Sequence, residues 1–332
     1  MPTALVEAGD RRWGRLDSRP DSVNPLDAYA AASRPLRRLR LKEWQGWTLL
    51  HPEISSSFIL QDAHYLASSE IYVRDRTGLV EHSRNARGGS LRLPKELYPS
   101  NPRIATEGYQ LGYEWAEAPG GRHRIRALIE ATKGQPAITV DLTLDGSRGS
   151  APLSVSAPLP GGSLYTHKVA LPAQGTVHVG DRRYTFDPAR DLAVLDEHKS
   201  TLPYRTRWLW GTFAGLGPDG IVGANFAERP TVPGSADESG LWLPGADGPA
   251  IEPLAEVSFE QENGDPLSPW FVRSADGRLD VTFLPEDRKS VKHQLVLAAI
   301  DYWQLVGTYT GSVAGRPVAG VRGVLERMRA RL

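Results

Sequence analysis

The stretch Leu202-Pro203-Tyr204-Arg205-Thr206-Arg207-Trp208-Leu209-Trp210-Gly211 indicates most clearly what kind of fold this chain adopts. Successive side chains of a β-strand point to opposite faces, so Tyr204, Trp208 and Trp210 share one face. Arg205 and Arg207 share the other face. Large aromatic side chains with polar tips suit a cavity that binds an amphipathic molecule. The same rings could equally fill the core of a β-barrel, and the stretch leaves both interpretations open.

The composition indicates a folded, strand-rich protein. Of the 332 residues, 40% are hydrophobic and 23% are charged, as in ordinary globular domains. The 33 glycines and 26 prolines predict many turns between short strands. The 39 basic side chains balance the 39 acidic ones, which argues against nucleic acid or an anionic membrane as the main partner.

The residue types and motifs that are missing narrow the chemistry. The chain has no cysteine, which excludes disulfides, thiolate catalysis and cysteine-ligated metals. Nucleotide-binding, zinc-protease and serine-hydrolase motifs do not occur, and the 8 histidines lack metal-ligand spacing, so we expect neither cofactor nor metal. No apolar run approaches the roughly 20 residues of a membrane span. Because the N-terminus also lacks a secretory signal, we expect a cytoplasmic protein without a transmembrane segment.

Period-two patterns along most of the chain predict an all-β fold, and residues 137–144 alternate apolar and polar side chains without interruption. Asp219-Gly220 and Asp276-Gly277 are typical hairpin turns. Many short strands without crossover helices predict two antiparallel β-barrels packed together. We divide the chain into an irregular N-terminal arm (1–33), a first barrel (34–190) and a second barrel (191–332). Residues 321–332 predict a short amphipathic C-terminal helix, with Leu325 and Met328 at helical spacing.

One basic segment allows two interpretations. Residues 34–42 carry five basic side chains, Arg34, Arg37, Arg38, Arg40 and Lys42. Such a run indicates either an anion site or the solvated edge of a strand. We prefer the strand edge, with Leu36, Leu39, Leu41 and Trp44 buried beneath it.

Several segments resemble, in the same order, a bacterial domain family of unknown function. They are Arg40-Leu41-Lys42-Glu43-Trp44, Tyr165-Thr166-His167-Lys168, Pro203-Tyr204-Arg205-Thr206-Arg207-Trp208-Leu209-Trp210 and Gly307-Thr308-Tyr309-Thr310-Gly311. The resemblance covers most of residues 36–325. Glu238 also resembles that family's acidic position after a glycine-rich strand.

This family is similar to the lipocalin-like group that contains carotenoid hydratases of the hydroxyneurosporene synthase type. The resemblance implies two lipocalin-like barrels and non-redox chemistry on terpenoid or polyketide-like molecules. The chain departs from the pattern at Trp303-Gln304, where the resemblance implies a His-Gln pair. A proton-transfer role is therefore not expected at position 303.

The best acid–base cluster is Asp196-Glu197-His198, directly before the aromatic strand. Hydration or cyclisation of an alkene needs a proton donor, and a carboxylic acid that burial keeps protonated supplies one. We predict three catalytic residues, Asp196, Glu238 and His198. Asp196 could instead pair with Arg205 or Arg207, Glu238 could form a rim ion pair, and His198 could be solvated.

The predicted ligand-binding residues are aromatic or cationic. They are Tyr204, Arg205, Arg207, Trp208, Trp210, Trp303, Tyr309 and Lys168. The two arginines either anchor the other barrel or bind an anionic group of the ligand. Lys168 suits a catalytic amine or an interdomain salt bridge.

Three functions fit these features. The first is a cofactor-independent lyase or isomerase that adds, removes or shifts water or a proton on a hydrophobic small molecule. The second is a non-catalytic carrier of a lipid or pigment, and the third is an interaction module whose barrels are filled by their own aromatic side chains. A buried carboxyl group with a raised pKa beside a cavity favours the first. The lack of a cavity of about 300 Å³ favours the third.

Overall fold

The protein folds into two curled antiparallel sheets that pack against each other, which confirms the predicted all-β, lipocalin-like architecture. The structure is a computed structural model and describes residues 3–91, 93–294 and 299–331. The N-terminal arm contains a ribbon of β1 (Val6–Glu7) and β2 (Asp10–Arg11). It also contains two 3-10 helices, Pro25–Ala28 and Ala31–Ser33, and leads into one short α-helix, α1 (Arg34–Arg38). None of the helices in the described residues is long and apolar enough to cross a membrane.

The first sheet has 13 strands. They are β3 (Gly14–Leu16), β4 (Leu41–His51), β5 (Ile54–Asp62), β6 (Leu66–Asp75), β7 (Gly78–Arg87), β8 (Arg103–Thr106), β9 (Tyr109–Glu114), β10 (Arg122–Ile129), β11 (Ile138–Asp145), β12 (Leu153–Leu159), β13 (Gly162–Val179), β14 (Arg182–Phe186) and β15 (Leu192–Thr201). The main path runs β7-β6-β5-β4-β15-β13-β11-β10-β9-β8, and β3, β12 and β14 attach to it. A further 3-10 helix, Gly146–Arg148, follows β11. Alternate side chains such as Ile138, Val140 and Leu142 fill the core of this sheet, as the period-two pattern predicted.

The second sheet has 9 strands in the order β19-β18-β17-β16-β24-β23-β22-β21-β20. They are β16 (Arg205–Gly217), β17 (Gly220–Glu228), β18 (Gly240–Gly245), β19 (Gly248–Pro253), β20 (Val257–Gln261), β21 (Trp270–Ser274), β22 (Leu279–Gln294), β23 (Ala299–Val313) and β24 (Arg316–Arg331). Leu279, Val281 and Phe283 of β22 point into its core. The sheet therefore buries one face of each strand in the same way as the first.

The predicted C-terminal helix is wrong, because Arg316–Arg331 form strand β24; Leu332 lies outside the described residues. β24 pairs with β16 on one side and with β23 on the other. A helix here would leave the backbone groups of two long strands without these partners, which is costly inside a sheet. Leu325 packs in the core of the second sheet, whereas Met328 points to the opposite face. The helical spacing of these two residues was therefore a local coincidence that strand pairing overrides.

The chain passes from the first sheet to the second later than the predicted joint at residues 190 and 191. Strand β15 (Leu192–Thr201) pairs with β4 and β13, which places it in the middle of the first sheet. The second sheet begins at Arg205 with β16. The crossing segment is therefore Leu202, Pro203 and Tyr204.

Apolar side chains hold the two sheets together. Val155 of the first sheet packs in one cluster with Ile221 and Trp242 of the second. Tyr72 of the first sheet packs in another cluster with Val306 of the second. The outer faces of the two sheets thus become a buried junction, and the site described below lies in it.

Candidate functional site

The indole rings of Trp208 and Trp210 project from β16 toward the first sheet. Leu209, between them, packs against the core of the second sheet, so strand alternation turns both rings to the other face. Trp210 packs with Tyr72 of the first sheet, and its Nε1 donates a hydrogen bond to Asn225 Oδ1 at 2.9 Å. The rings therefore line a space between the two sheets. Trp208 and Trp210 therefore do not fill the core of the second sheet, which was one of the two interpretations that the sequence left open.

This space, which we call the interface pocket, has a volume of about 180 Å³. Its wall includes aromatic and titratable side chains from both sheets. They include Trp44, Tyr72 and Asp196 from the first sheet and Trp208, Trp210, Tyr302, Gln304 and Glu326 from the second. The volume is below the roughly 300–1,000 Å³ of pockets that enclose drug-sized ligands. This small volume by itself favours an interaction module over an enzyme. Evidence for catalysis must therefore come from the titratable side chains around the pocket.

A buried ionic cluster lies beside the pocket on the first sheet. Strand register places Lys168 directly opposite Asp196, and His198 directly opposite Trp44. Lys168 Nζ forms a salt bridge with Asp196 and lies 4.8 Å from the ring centre of Trp210. The His198 ring stacks on Trp44 with ring centres 4.2 Å apart, and Trp44 Nε1 donates to Asp196 Oδ2 at 3.0 Å. The sheet register thus brings together four side chains from three strands, β4, β13 and β15.

The second sheet completes the cluster from the loop between β17 and β18. Glu238 is fully buried and forms salt bridges with Arg229 and with Lys168 Nζ, the latter at 3.3 Å. The guanidinium carbon of Arg229 lies 6.0 Å from the ring centre of Trp208. Lys168 therefore links the two sheets, which is the interdomain salt bridge that the sequence allowed as one of its two roles. Glu238 lies behind the interface pocket rather than on its wall.

These neighbours decide which groups carry a proton. Burial alone raises the pKa of Asp196, but Lys168 and then His198 outweigh it and hold the pKa of Asp196 well below its usual value. Burial lowers the pKa of Lys168, although the charge of Asp196 opposes this shift. Burial also lowers the pKa of His198 to about 4, so its imidazole is neutral at pH 7. Asp196 is therefore a carboxylate and does not fit the protonated-acid role that the sequence suggested.

Sequence analysis missed a second carboxyl group, Glu326 of β24, on the second-sheet side of the pocket. Trp208 Nε1 donates a hydrogen bond to its Oε1 at 2.8 Å, and Tyr302 Oη and Gln304 Nε2 each donate to its Oε2 at 2.9 Å. Burial raises the pKa of Glu326 and the negative charge of Asp196 adds to the shift, against the opposing effect of these donors. The pocket thus has one ionised carboxyl group on its first-sheet side and one with a raised pKa on its second-sheet side.

The signal for Glu326 was present in the sequence. Val324, Glu326 and Met328 occupy alternate positions, as expected on one face of a strand. We interpreted residues 321–332 as a helix, in which these three side chains do not share a face. Their alternation was therefore not recognised as that of a strand. Gln304, which follows the departure from the family pattern at Trp303, lies in the pocket and accepts a hydrogen bond from Tyr72 Oη at 2.5 Å.

Five of the predicted ligand-binding residues lie away from the interface pocket. Trp303 and Tyr309 point into the core of the second sheet, because they alternate with the pocket-facing positions of β23. Tyr204, Arg205 and Arg207 are exposed at the crossing between the sheets. Lys168, Trp208 and Trp210, in contrast, all meet at the junction.

The arrangement is suited to proton transfer on an organic molecule. The neutral His198 ring places Nε2 at 3.3 Å from Asp196 Oδ1, and its buried Nδ1 has no hydrogen-bond partner among the described residues. Among the residues that the structure describes, no group of three or more His, Asp or Glu side chains is arranged to hold a metal ion. Two groups in the pocket that can exchange a proton are the carboxyl groups of Asp196 and Glu326.

Comparisons with known proteins agree with this architecture. Residues 13–332 match a family that is described as "Domain of unknown function (DUF2804)". No protein of curated function matches the chain in sequence. The crystal structure of kievitone hydratase from Nectria haematococca matches with a TM-score of 0.52 and 12% identity, over 96% of this chain and 97% of that one. At this identity the likeness shows a shared fold.

Proposed function

The chain belongs to the DUF2804 family, and we propose that it is a cofactor-independent enzyme that moves a proton or water at a carbon–carbon double bond of a hydrophobic small molecule. The observation that supports the proposal is the pair of carboxyl groups that line the pocket from its two sides, Asp196 with a lowered pKa and Glu326 with a raised one. Two carboxyl groups whose surroundings push their pKa values apart are the usual assignment of base and acid in one site. The class of reaction is that of a lyase of the hydratase type or an isomerase.

Glu326 is the proposed acid. It transfers its proton to one alkene carbon, which leaves a cation on the neighbouring carbon. Trp208, Trp210 and Trp44 line the pocket, and each aromatic contact with a cation contributes about 0.5–2 kcal/mol. An aromatic-walled pocket therefore lowers the energy of the intermediate that the reaction requires.

Asp196 is the proposed base. In hydration its carboxylate accepts the proton of the attacking water, and in isomerisation it removes a proton from the carbon beside the cation. The salt bridge with Lys168 and the hydrogen bond from Trp44 hold this carboxylate in place. His198 and Lys168 are therefore positioning residues, and Glu238 acts through its contact with Lys168.

The small pocket limits which part of a substrate it can enclose. A volume of about 180 Å³ accommodates the reacting double bond and its neighbours rather than a whole terpenoid. Ile300 and Met328 line the pocket near the ends of their strands, so the remainder of the substrate extends past them. The fold shared with a protein named as a hydratase adds support for this class of reaction.

In the test, a panel of alkenyl phenols and terpenoids is incubated with the protein in isotopically labelled water. Mass spectrometry then measures the mass and the isotope content of each compound. We expect conversion of at least one compound with incorporation of label, and a loss of about 100-fold or more for Glu326→Gln and Asp196→Asn, which is the usual scale of acid–base catalysis. Glu260→Gln, an exposed carboxyl group on β20, is the matched control and should keep full activity.

Two results decide against the proposal. If the wild-type protein incorporates no label into any compound that it binds, the pocket is that of a carrier. If Glu326→Gln converts a true substrate at the wild-type rate, the proton comes from another group.

A further inference from the structure

Several exposed basic side chains gather where the chain crosses from the first sheet to the second. They are Arg37, Arg38, Arg40, Arg205, Arg207, Lys292 and Arg329. Strand pairing brings them to one end, because Thr201 at the end of β15 pairs with Leu41 at the start of β4. Arg40 Nη2 also donates a hydrogen bond to Leu202 O in the crossing segment at 3.1 Å. We call this surface the basic end.

On the second sheet, arginines face each other across neighbouring strands. Arg205 lies directly opposite Arg331, and Arg207 directly opposite Arg329. Like charges in such positions destabilise a strand pair. Asp301, which lies opposite Arg329 on β23, forms its salt bridge with Arg327 at 3.2 Å. In the described part of the chain no carboxylate is within ion-pair distance of Arg207 or Arg329, so an external anion would relieve the repulsion between these two.

Large apolar side chains are exposed at the same end. Leu36 and Leu39 are 74% and 49% exposed, and Tyr65 and Leu66 are 56% and 46% exposed. Lys42 Nζ donates to Leu39 O at 2.8 Å and lies 4.8 Å from the Tyr65 ring centre, so α1 and the turn before β6 are neighbours. The expectation that Leu36 and Leu39 would be buried is therefore wrong. Apolar side chains flanked by arginine form an amphipathic surface.

We propose that the basic end is a docking surface for an anionic lipid bilayer. The arginines lie against phosphate and carboxylate headgroups, and the leucines and Tyr65 enter the boundary between headgroups and acyl chains. The balanced total charge of the chain does not oppose this, because charges more than about 8 Å away are largely screened at physiological salt. Only the local excess of cations acts on a membrane, and total composition cannot show it.

The interface pocket adjoins the basic end. Met328 on the pocket wall directly precedes Arg329 of the basic end. A protein docked in this way presents the pocket to molecules dissolved in the bilayer. This use rests on the proposed function, whereas the docking itself does not and is tested without a substrate.

The experiment measures sedimentation of the full-length protein with vesicles of phosphatidylcholine alone or of phosphatidylcholine mixed with phosphatidylserine. We expect binding to the mixed vesicles that weakens as salt is added. Each basic side chain at an anionic surface raises affinity roughly fivefold, so Arg205→Gln, Arg207→Gln and Arg329→Gln combined should weaken binding about 100-fold. The matched control removes three exposed arginines distant from the basic end, by Arg76→Gln, Arg183→Gln and Arg316→Gln. It should bind as the wild type does.

A second variant, Leu36→Ser with Leu39→Ser, tests the apolar part of the surface and should also weaken binding. Thermal unfolding checks that each variant is folded, and the salt titration of the unmodified protein does not depend on any variant. The proposal is overturned if mixed vesicles do not bind or if the control triple variant loses as much affinity. It is equally overturned if soluble glycerophosphoserine or an oligonucleotide occupies the same arginines while vesicles do not.

Discussion

Replacing Lys168 by methionine tests whether the buried ionic cluster holds the two sheets together. Lys168 is fully buried and contacts Asp196 of the first sheet and Glu238 of the second. Methionine keeps much of the length of the side chain but removes the charge that the two carboxylates share. Removing one partner of a buried ion pair costs about 3–5 kcal/mol. Glu238 keeps Arg229 and Asp196 keeps the Trp44 hydrogen bond, so we expect the lower end of that range.

The expected loss is large enough to measure by two methods. Unfolding entropies of about 2 cal/mol/K per residue, over 332 residues, correspond to about 0.7 kcal/mol/K for the whole chain. A loss of about 3 kcal/mol then lowers the Tm by about 4 °C. Urea unfolding gives the change in the free energy of unfolding, and calorimetry gives the change in Tm.

The double variant Lys168→Met with Asp196→Asn separates the ionic explanation from a simple packing defect. In the single variant Asp196 has lost its cationic partner while Glu238 keeps Arg229, so removing the Asp196 charge should recover part of the lost stability. Lys292→Met, at an exposed position, should change the free energy of unfolding by no more than about 0.5 kcal/mol. If Lys168→Met is as stable as the wild type, or the double variant is less stable than the single one, the reasoning about this cluster is refuted.

Two further predictions concern packing and pH. A Cβ at Gly323 would lie 2.5 Å from Thr212 O and 2.7 Å from the Tyr309 ring, so Gly323→Ala should cost about 1–3 kcal/mol in urea unfolding. Gly215→Ala, whose Cβ has its nearest contact at 3.4 Å, should be nearly neutral. Burial lowers the pKa of His198 from 6.5 to about 4, so the unfolded chain binds more protons in that interval and stability should fall as the pH drops through it. His198→Asn should flatten the curve of stability against pH in this window. The remaining slope includes His51, His123 and His167, whose pKa values burial also lowers. A flat wild-type curve between pH 6.5 and 4 would contradict this.

Much of the fold could be predicted because strand alternation is a local property. The separation of Trp208 and Trp210 from Arg205 and Arg207 onto two faces follows from the geometry of any extended chain, and the structure keeps it. The same rule puts Asp196 and His198 on one side of β15, where they meet Lys168. The all-β architecture followed from the same pattern repeated along the chain.

The C-terminal segment shows where local pattern is insufficient. Leu325 and Met328 have the spacing of a helix face, and nothing within residues 321–332 rules that out. The decision comes from β16 and β23, which are distant in sequence and both require a backbone partner between them. Residues 321–332 by themselves do not show this requirement. Sequence analysis therefore missed strand β24 and, with it, Glu326.

The amino-acid order alone established which side chains share a face of each strand and which chemistries are impossible without cysteine, since both depend only on covalent structure and its immediate stereochemistry. Tertiary structure decided which face of β16 meets another sheet, and so put the pocket between the sheets rather than inside one. It also decided the opposite directions in which the pKa values of Asp196 and Glu326 shift, because a pKa depends on burial and on neighbouring charges that only the folded chain assembles.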